Sequence, residues 1–260
     1  MIRGLYTAVS GMITQEAKHD VITNNMANVN TIGFKSDNLV IKKFDDVLIQ
    51  NYDKVMGGKN VQNTIGSLSM GSRIDGSTTD FTQGIIESTD KPTDFAIEGK
   101  GFFAVSRTDG INNKEVYSRD GSFHVNTGGF LVNSSGDSVL GKNATNGKTE
   151  PILIGKGKIS SDEKGNIAVD GAAKYKIRTV DFADYKQLVK IGDNLYDGQA
   201  PIDSNDIAVR QSSLEKSNIN VINEMTNMMT VMRTFEANQK MVQAMDETLG
   251  KAVNEVGTVR

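Results

Sequence analysis

Few side chains in this sequence are of the types that carry out acid–base or metal chemistry. His19 and His124 are its only histidines, and it has no cysteine. The first lies in a helical pattern and the second among strand-like residues, so they are not expected to form a metal pair. A general base needs a positioned partner, and the sequence identifies none for either histidine. We therefore predict no catalytic, metal-binding or cofactor-binding residue, and a protein that is not an enzyme.

A second group of polar residues, Asp94, Arg119 and Asp120, lies beside predicted tight turns. These side chains could form a buried polar cluster. Short carboxylates next to a turn bind its backbone N–H groups, so we predict that the group fixes those turns. The other Asp and Glu residues show no calcium-loop spacing.

Two glycine-rich stretches resemble phosphate-binding loops. GKGFFA at 99–104 matches the loose dinucleotide pattern, but Phe102 and Phe103 continue as strand where that motif requires a helix. GKNATNGKT at 141–149 has five residues between its glycines, where a phosphate loop has four, and Pro151 prevents a helix from starting there. Both stretches are predicted to be turns.

The composition of the chain further limits the classes of partner that it can bind. The net charge is −3 and the isoelectric point is near 5.5, so no basic field draws the chain to nucleic acid. No apolar run approaches the ~20 residues that a membrane helix needs, and the N-terminal stretch is not typical of a Sec-type signal peptide. Many glycines (26) with few prolines (3) favour turn-rich β structure joined to uninterrupted helices.

Helical periodicity marks the N-terminal end of the chain. Apolar residues recur with steps of three and four, at Ile2, Leu5, Val9, Met12, Ile22, Met26 and Val29. The polar residues Glu16 and His19 interrupt this seam. The pattern stops near residues 30–33, where Gly33 supplies a helix stop.

The C-terminal end shows the longest periodic stretch, from about Gln211 to Val256. Its predicted seam runs through Val221, Met225, Met228, Met232, Phe235, Gln239, Val242, Met245, Leu249, Ala252 and Val256. Two steps of three follow one another near Val242, as in a stammer. Since both seams are polar in the middle, the two ends are predicted to pair with each other in an antiparallel coiled coil.

The middle of the chain predicts β structure. Residues 36–52 hold a short amphipathic piece that could be a helix, and residues 57–80 are rich in Gly, Ser, Thr and Asn, which suggests an extended arm or loop. Short β-prone runs then alternate with turn signals, which is typical of a mostly antiparallel β domain. The prediction is an α+β fold with boundaries at 1–35, 36–80, 81–206 and 207–260.

Three sequence blocks resemble the flagellar basal-body rod and hook protein family. They are NNMANVNTIGFK at 24–35, the central runs DFAIEGKGFFAV, YSRDGSFHVN and VLG between 94 and 141, and SSLEKSNINVINEMTNMMTVMRTFEANQKMVQAMDETL at 212–249. Phe235 and Met26 stand where many relatives have Tyr and Ile. Length and the arm at 57–80 favour the distal-rod branch of the family, with the proximal-rod branch next. Hook proteins carry an additional β domain for which this chain has little room.

The resemblance implies a structural subunit of the rod, the drive shaft of the flagellum, which self-assembles into a helical tube through its terminal helices. The implied assembly residues are Leu5, Val9, Met12, Ile22, Asn24, Asn25, Asn28, Asn30, Gly33 and Phe34 near the N-terminus. Near the C-terminus they are Leu214, Ser217, Asn218, Val221, Met225, Met228, Met232, Phe235, Ala237, Asn238, Val242 and Leu249.

The implied partners are further copies of the chain, other rod and hook proteins, and the flagellar type III export apparatus, which exports the chain without a cleaved signal. The implied location is the basal body, outside the cytoplasmic membrane, without membrane insertion. We also expect the terminal segments to be poorly ordered in the monomer and to fold on assembly.

Two other classes stay open on the residues alone. A secreted β binding module on a coiled-coil stalk would explain helices and strands, but it gives no reason for matched signatures at both ends. An enzyme acting on cell-wall polymer would need a carboxylate cleft that the sequence does not show.

Overall fold

The computed structural model describes residues 2–56, 59–109, 112–204 and 207–256. Helices stand at the two ends, α1 (Ile2–Ala27) and α2 (Val221–Lys251), the second followed by a π-helical turn (Ala252–Val256). The predicted order of helix, antiparallel β region and helix is confirmed. Two compact units divide the chain: residues 27–36 and 79–220 form the β unit, and residues up to 26, 37–78 and from 221 onward form the helical unit.

Strands fill the region between the helices. They are β1 (Asp37–Lys43), β2 (Val47–Met56), β3 (Lys59–Leu68), β4 (Ser72–Thr79), β5 (Ile86–Ser88), β6 (Phe95–Glu98), β7 (Phe102–Asp109), β8 (Asn112–Ser118), β9 (His124–Val125), β10 (Leu131–Val132), β11 (Ser138–Asn143), β12 (Thr149–Pro151), β13 (Ile159–Ser161), β14 (Asn166–Val169), β15 (Ala172–Ile177), β16 (Thr179–Asp181), β17 (Val189–Gly192), β18 (Leu195–Asp197), β19 (Ile202–Asp203), β20 (Ala208–Gln211) and β21 (Ser213–Glu215). A short 3₁₀ turn (Tyr185–Gln187) precedes β17.

The β unit is built on one antiparallel sheet with the order β13-β14-β15-β11-β7-β8-β18-β17, to which shorter strands add at the sides. Its central strand β7 alternates side chains between two cores, because successive residues of a strand point to opposite faces. Phe103 and Val105 enter the larger core, while Phe102 and Ala104 enter a smaller, aromatic one. All four are fully buried.

Both glycine-rich stretches are turns, as predicted. Residues 99–101 connect β6 to β7, with Gly99 and Gly101 at positive φ (98° and 126°). Residues 141–149 form a hairpin in which β11 pairs with β12 and the N–H of Gly147 donates to the carbonyl of Asn143 at 2.8 Å. Neither loop opens a helix that could hold a phosphate.

Two expectations about secondary structure are wrong. The amphipathic piece at 36–52 is not a helix but falls on β1 and β2, because these strands find partners elsewhere in the chain, β4 and β3. The C-terminal helix begins at Val221 and not near Gln211, since residues 208–215 pair as β20 with β6 and as β21 with β5. The arm at 57–80 falls on β3 and β4, with residues 57 and 58 outside the described residues.

A buried ionic cluster stabilises the β unit around Glu215. Its Oε1 accepts from Lys35 Nζ at 2.5 Å, and its Oε2 accepts from an Arg119 guanidinium nitrogen at 3.1 Å. All three side chains are at most 2 % exposed. Lys35 also donates to the carbonyl of Thr82 at 2.7 Å. Burial lowers the pKa of Lys35, and the facing Glu215 carboxylate opposes that effect.

The cluster generates a prediction about stability. Replacing Glu215 with Gln keeps the shape but leaves two buried cations without their anion, which costs about 3 kcal/mol. Glu87→Gln is the matched control, because Glu87 binds Lys216 at 2.6 Å with both side chains half exposed, and its loss costs less than about 0.5 kcal/mol. Urea unfolding of the two variants measures the difference. Equal urea midpoints for the two variants would show that the buried cluster contributes no more to stability than the exposed ion pair.

Candidate assembly site

The two helices of the helical unit contact each other in opposite directions. A methyl group at Gly4 would lie 2.9 Å from Cε of Met245, and one at Gly11 would lie 3.0 Å from Nδ2 of Asn238. Further along, Ile22 lines a cleft with residues of the first turns of α2, including Glu224. The start of α1 therefore faces the end of α2, and α1 approaches α2 closely where it carries glycine.

One stripe of α2 is shielded from solvent along its whole length. Its members step by three and four in strict alternation, at Val221, Glu224, Met228, Val231, Phe235, Asn238, Val242, Met245 and Leu249, and the stripe continues to Ala252 in the π-helical turn. The stammer predicted near Val242 is therefore wrong. Met225 and Met232 are 50 % and 47 % exposed, whereas Val231 is 3 % exposed. Three positions of the predicted seam (225, 232 and 239) lie one residue away from the shielded stripe.

The face of α1 that contacts α2 carries small residues, which the apolar pattern did not reveal. Gly4 and Gly11 face α2, and the buried Ala8 lies between them on the same face. The predicted residue Val9 is 38 % exposed, while Leu5 and Met12 are partly buried. Glycine and alanine add little to a hydrophobic pattern, but the spacing of seven between the two glycines was a signal for a helical contact.

An adjoining face of α1 is tied to strands of the same unit. Ser10 Oγ accepts from the N–H of Ser72 at 3.3 Å, and the hydroxyls of Thr14 and Ser72 lie 3.2 Å apart. Asn25 is 1 % exposed and exchanges two hydrogen bonds with the backbone of Asp37, at 2.9 and 3.0 Å. Asn25, a predicted assembly residue, therefore anchors the start of β1.

A cleft of about 290 Å³ that is open to solvent lies beside the middle of the helix pair. Its lining includes Glu16 and His19 from α1 and Val231 and Phe235 from α2. Nearer the start of α2, burial raises the pKa of the Glu224 carboxyl, and the Lys18 ammonium opposes that effect. Glu16 and His19, the polar residues of the predicted α1 seam, therefore border the contact between the helices.

Three predicted assembly residues, Gly33, Phe34 and Asn218, lie in the β unit, close in sequence to Lys35 and Glu215 of the ionic cluster. Gly33 has φ 66°, and a methyl group there would lie 2.5 Å from the backbone of Arg119, so only glycine fits. Phe34 is buried with Lys190 Nζ 4.0 Å above its ring. Asn218 accepts from the N–H of Ser36 at 2.9 Å and donates to the carbonyl of Asp80 at 2.8 Å.

The remaining predicted residues are not gathered into one site. Ile22 is 4 % exposed, Leu214 lies in β21 opposite Glu87, and Asn28 accepts from the hydroxyl of Thr31 at 3.1 Å. Ser217 Oγ accepts from the N–H of Ile219 at 3.4 Å. The exposed members are Asn24, Asn30 and Ala237.

The polar residues singled out for chemistry have structural roles. Asp120 accepts from the N–H of Ser122 at 2.9 Å, and Asp94 accepts from the hydroxyl of Thr89 at 2.8 Å. Burial raises the pKa of Asp120, and the nearby Asp94 adds to that effect. Arg119 does not join them but binds Glu215, which sequence reasoning missed. Within the described ranges no group of three or more His, Asp or Glu side chains is placed to hold a metal ion.

None of the described helices is both long and apolar enough to cross a membrane.

Three family models match the chain in order along its length. Residues 5–35 match the flagella basal body rod protein model, residues 96–177 the flagellar hook protein FlgE/F/G D1 domain, and residues 210–255 the flagellar basal body rod FlgEFG protein C-terminal model. The terminal matches contain almost all of α1 and the whole of α2.

Curated relatives match over nearly their whole length. The flagellar basal-body rod protein FlgG of Bacillus subtilis is 35 % identical over 98 % of this chain and 99 % of its own. FlgG of Borreliella burgdorferi is 33 % identical over 98 % of each chain, and FlgF of Caulobacter vibrioides is 32 % identical over 100 % of each. These relatives are structural proteins of the rod and not enzymes, and the flagellar basal body is the location that fits the chain. With ordered matches at both ends and in the middle, the chain belongs to the flagellar basal-body rod protein family.

Proposed function

We propose that the chain is a structural subunit of the flagellar rod that self-assembles into a helical tube through α1 and α2. One observation carries the proposal: large apolar side chains remain exposed on both helices after they contact each other. Tyr6 and Ile13 on α1 are 65 % and 55 % exposed, and Ile222 and Met229 on α2 are 75 % and 53 % exposed. Covering the exposed half of such a side chain yields about 1 kcal/mol.

We further propose that α1 and α2 pair as an antiparallel coiled coil. The alternation of three and four along the shielded stripe is the repeat that such a pair requires. The glycines at positions 4 and 11 allow close approach to Met245 and Asn238. Most of the stability of a helix in a protein comes from packing its amphipathic face, so each helix depends on the other or on a neighbour.

Other rod and hook proteins and the type III export apparatus are the proposed partners. The FlgG relatives favour the distal rod, and FlgF, at 32 % identity, keeps the proximal rod as the alternative.

We assign the β2–β3 ladder the role of bridging neighbouring copies. In the part of the chain that the structure describes, these two strands pair only with each other, and Val47, Leu48 and Ile65 are more than half exposed. A two-stranded ladder is marginally stable alone.

Electron microscopy of the concentrated full-length protein tests self-assembly, since a rod subunit is expected to form tubes or filaments. Phe235→Asp places a charge in the shielded stripe, and we expect it to abolish filaments while the β unit stays folded. Gln239→Asp is the control on the same helix, because Gln239 is exposed outside that stripe, and it should assemble normally. Filaments from the Phe235 variant would refute the role of the stripe.

Glycine at the helix contact gives a second test. Leu at position 11 meets Asn238, so Gly11→Leu should lower helix melting by several degrees and prevent filaments. Gly250→Leu is the matched control, because nothing lies within 4 Å of that position and leucine favours helix by about 1 kcal/mol over glycine. Adding Asn238→Ala to Gly11→Leu should recover part of the lost melting temperature, which circular dichroism measures. Equal melting of the two glycine variants would contradict close pairing at Gly11.

Coupled folding gives a third test. If α1 and α2 are poorly ordered before assembly, helical circular dichroism per residue should rise clearly when monomer becomes polymer. Equal helicity in the two states would mean that the helices are already formed in the monomer.

A further inference from the structure

A second apolar stripe runs along α2 beside the shielded one. It consists of Ile222, Met225, Met229 and Met232, whose exposed fractions are 75, 50, 53 and 47 %. Its members step by three, four and three, so they lie on one face of the helix. Methionine suits such a face because its flexible thioether fills irregular contacts.

A matching stripe occupies the first half of α1. Tyr6, Val9 and Ile13 step by three and four and are 65, 38 and 55 % exposed. Read in the opposite direction along α2, Met232, Met229 and Met225 also step by three and four. The two stripes therefore have the spacing to pack side by side in antiparallel orientation.

These two stripes cannot meet within one chain. Gly4 lies opposite Met245 and Gly11 opposite Asn238, so each step forward on α1 corresponds to one step back on α2. Val9 is then level with Lys240, eleven residues beyond Met229. At 1.5 Å per residue the stripes are offset by about 16 Å along the helix axis.

We infer that the α1 stripe of one copy packs on the α2 stripe of a second copy displaced by about 16 Å along the helix axis. Tyr6 then lies against Met232, Val9 against Met229 and Ile13 against Met225. This contact rests on the proposed function and specifies how neighbouring subunits meet. Each copy binds one neighbour through its α1 stripe and another neighbour through its α2 stripe, so the contact is head-to-tail. Because every contact adds an axial displacement, the chain of copies does not close into a ring but grows into a filament.

Charges at both ends of the stripes fit the same register. Arg3, one turn before Tyr6, falls level with position 235, next to Glu236, and the side chains of Arg3 and Glu236 are both exposed. At the other end Glu16 falls level with the first turn of α2, where the free N–H groups favour a negative charge. Complementary charge at the ends of an apolar contact sets its register more than its affinity.

The absence of cysteine allows the register to be tested by disulfide formation. Val9→Cys and Met229→Cys are prepared separately, mixed in equal amounts, assembled and mildly oxidised. We expect a cross-linked dimer from the mixture, no dimer from either variant alone, and a ladder of multimers from the double variant. Mixing Val9→Cys with Met241→Cys is the control. Met241 is 54 % exposed but lies off the stripe, so it should not cross-link.

The outcomes separate this contact from the proposed function. Filaments without a 9–229 cross-link would overturn the register and leave self-assembly intact. A dimer from Val9→Cys alone would mean a face-to-face, closed contact and would also overturn it. If the unmodified chain forms no filaments at any concentration, the proposed function fails and this contact fails with it.

Discussion

A single buried carboxylate joins distant parts of the β unit. Glu215 binds two cations, Lys35 and Arg119, and Lys35 lies 180 residues away in the sequence. A carboxylate removed from water is stable only when its charge is paired and its oxygens are hydrogen-bonded. The segment after α1 and the segment before α2 must therefore be present together for this unit to be complete.

The helical unit follows a different constraint. Each helix has more apolar surface than the other can cover, because α1 and α2 bury one stripe and leave another in water. A compact β core satisfies its apolar residues internally, as Phe102 and Phe103 do on the two faces of β7. The helices leave Tyr6, Ile13 and Ile222 more than half exposed, and the proposed assembly would cover this surface.

Sequence reasoning identified the elements better than their contacts. The order of helix, strands and helix was predictable from periodicity and turn residues, as were the two glycine-rich turns. The strands at 37–56 were not, because a short apolar run suits a helix or a strand equally and only the distant partners β4 and β3 decide. The same holds for residues 208–215, which pair with β6 and β5 instead of extending α2.

By itself the sequence determined that both ends are amphipathic helices and that three blocks carry the family signature. Only the tertiary structure decided which stripe of α2 is shielded. Methionines at 225, 228, 229 and 232 give adjacent stripes nearly equal hydrophobicity, so periodicity cannot distinguish them. Gly4 and Gly11 of α1 decide which stripe is shielded, because the absence of a side chain at these positions permits close approach to α2.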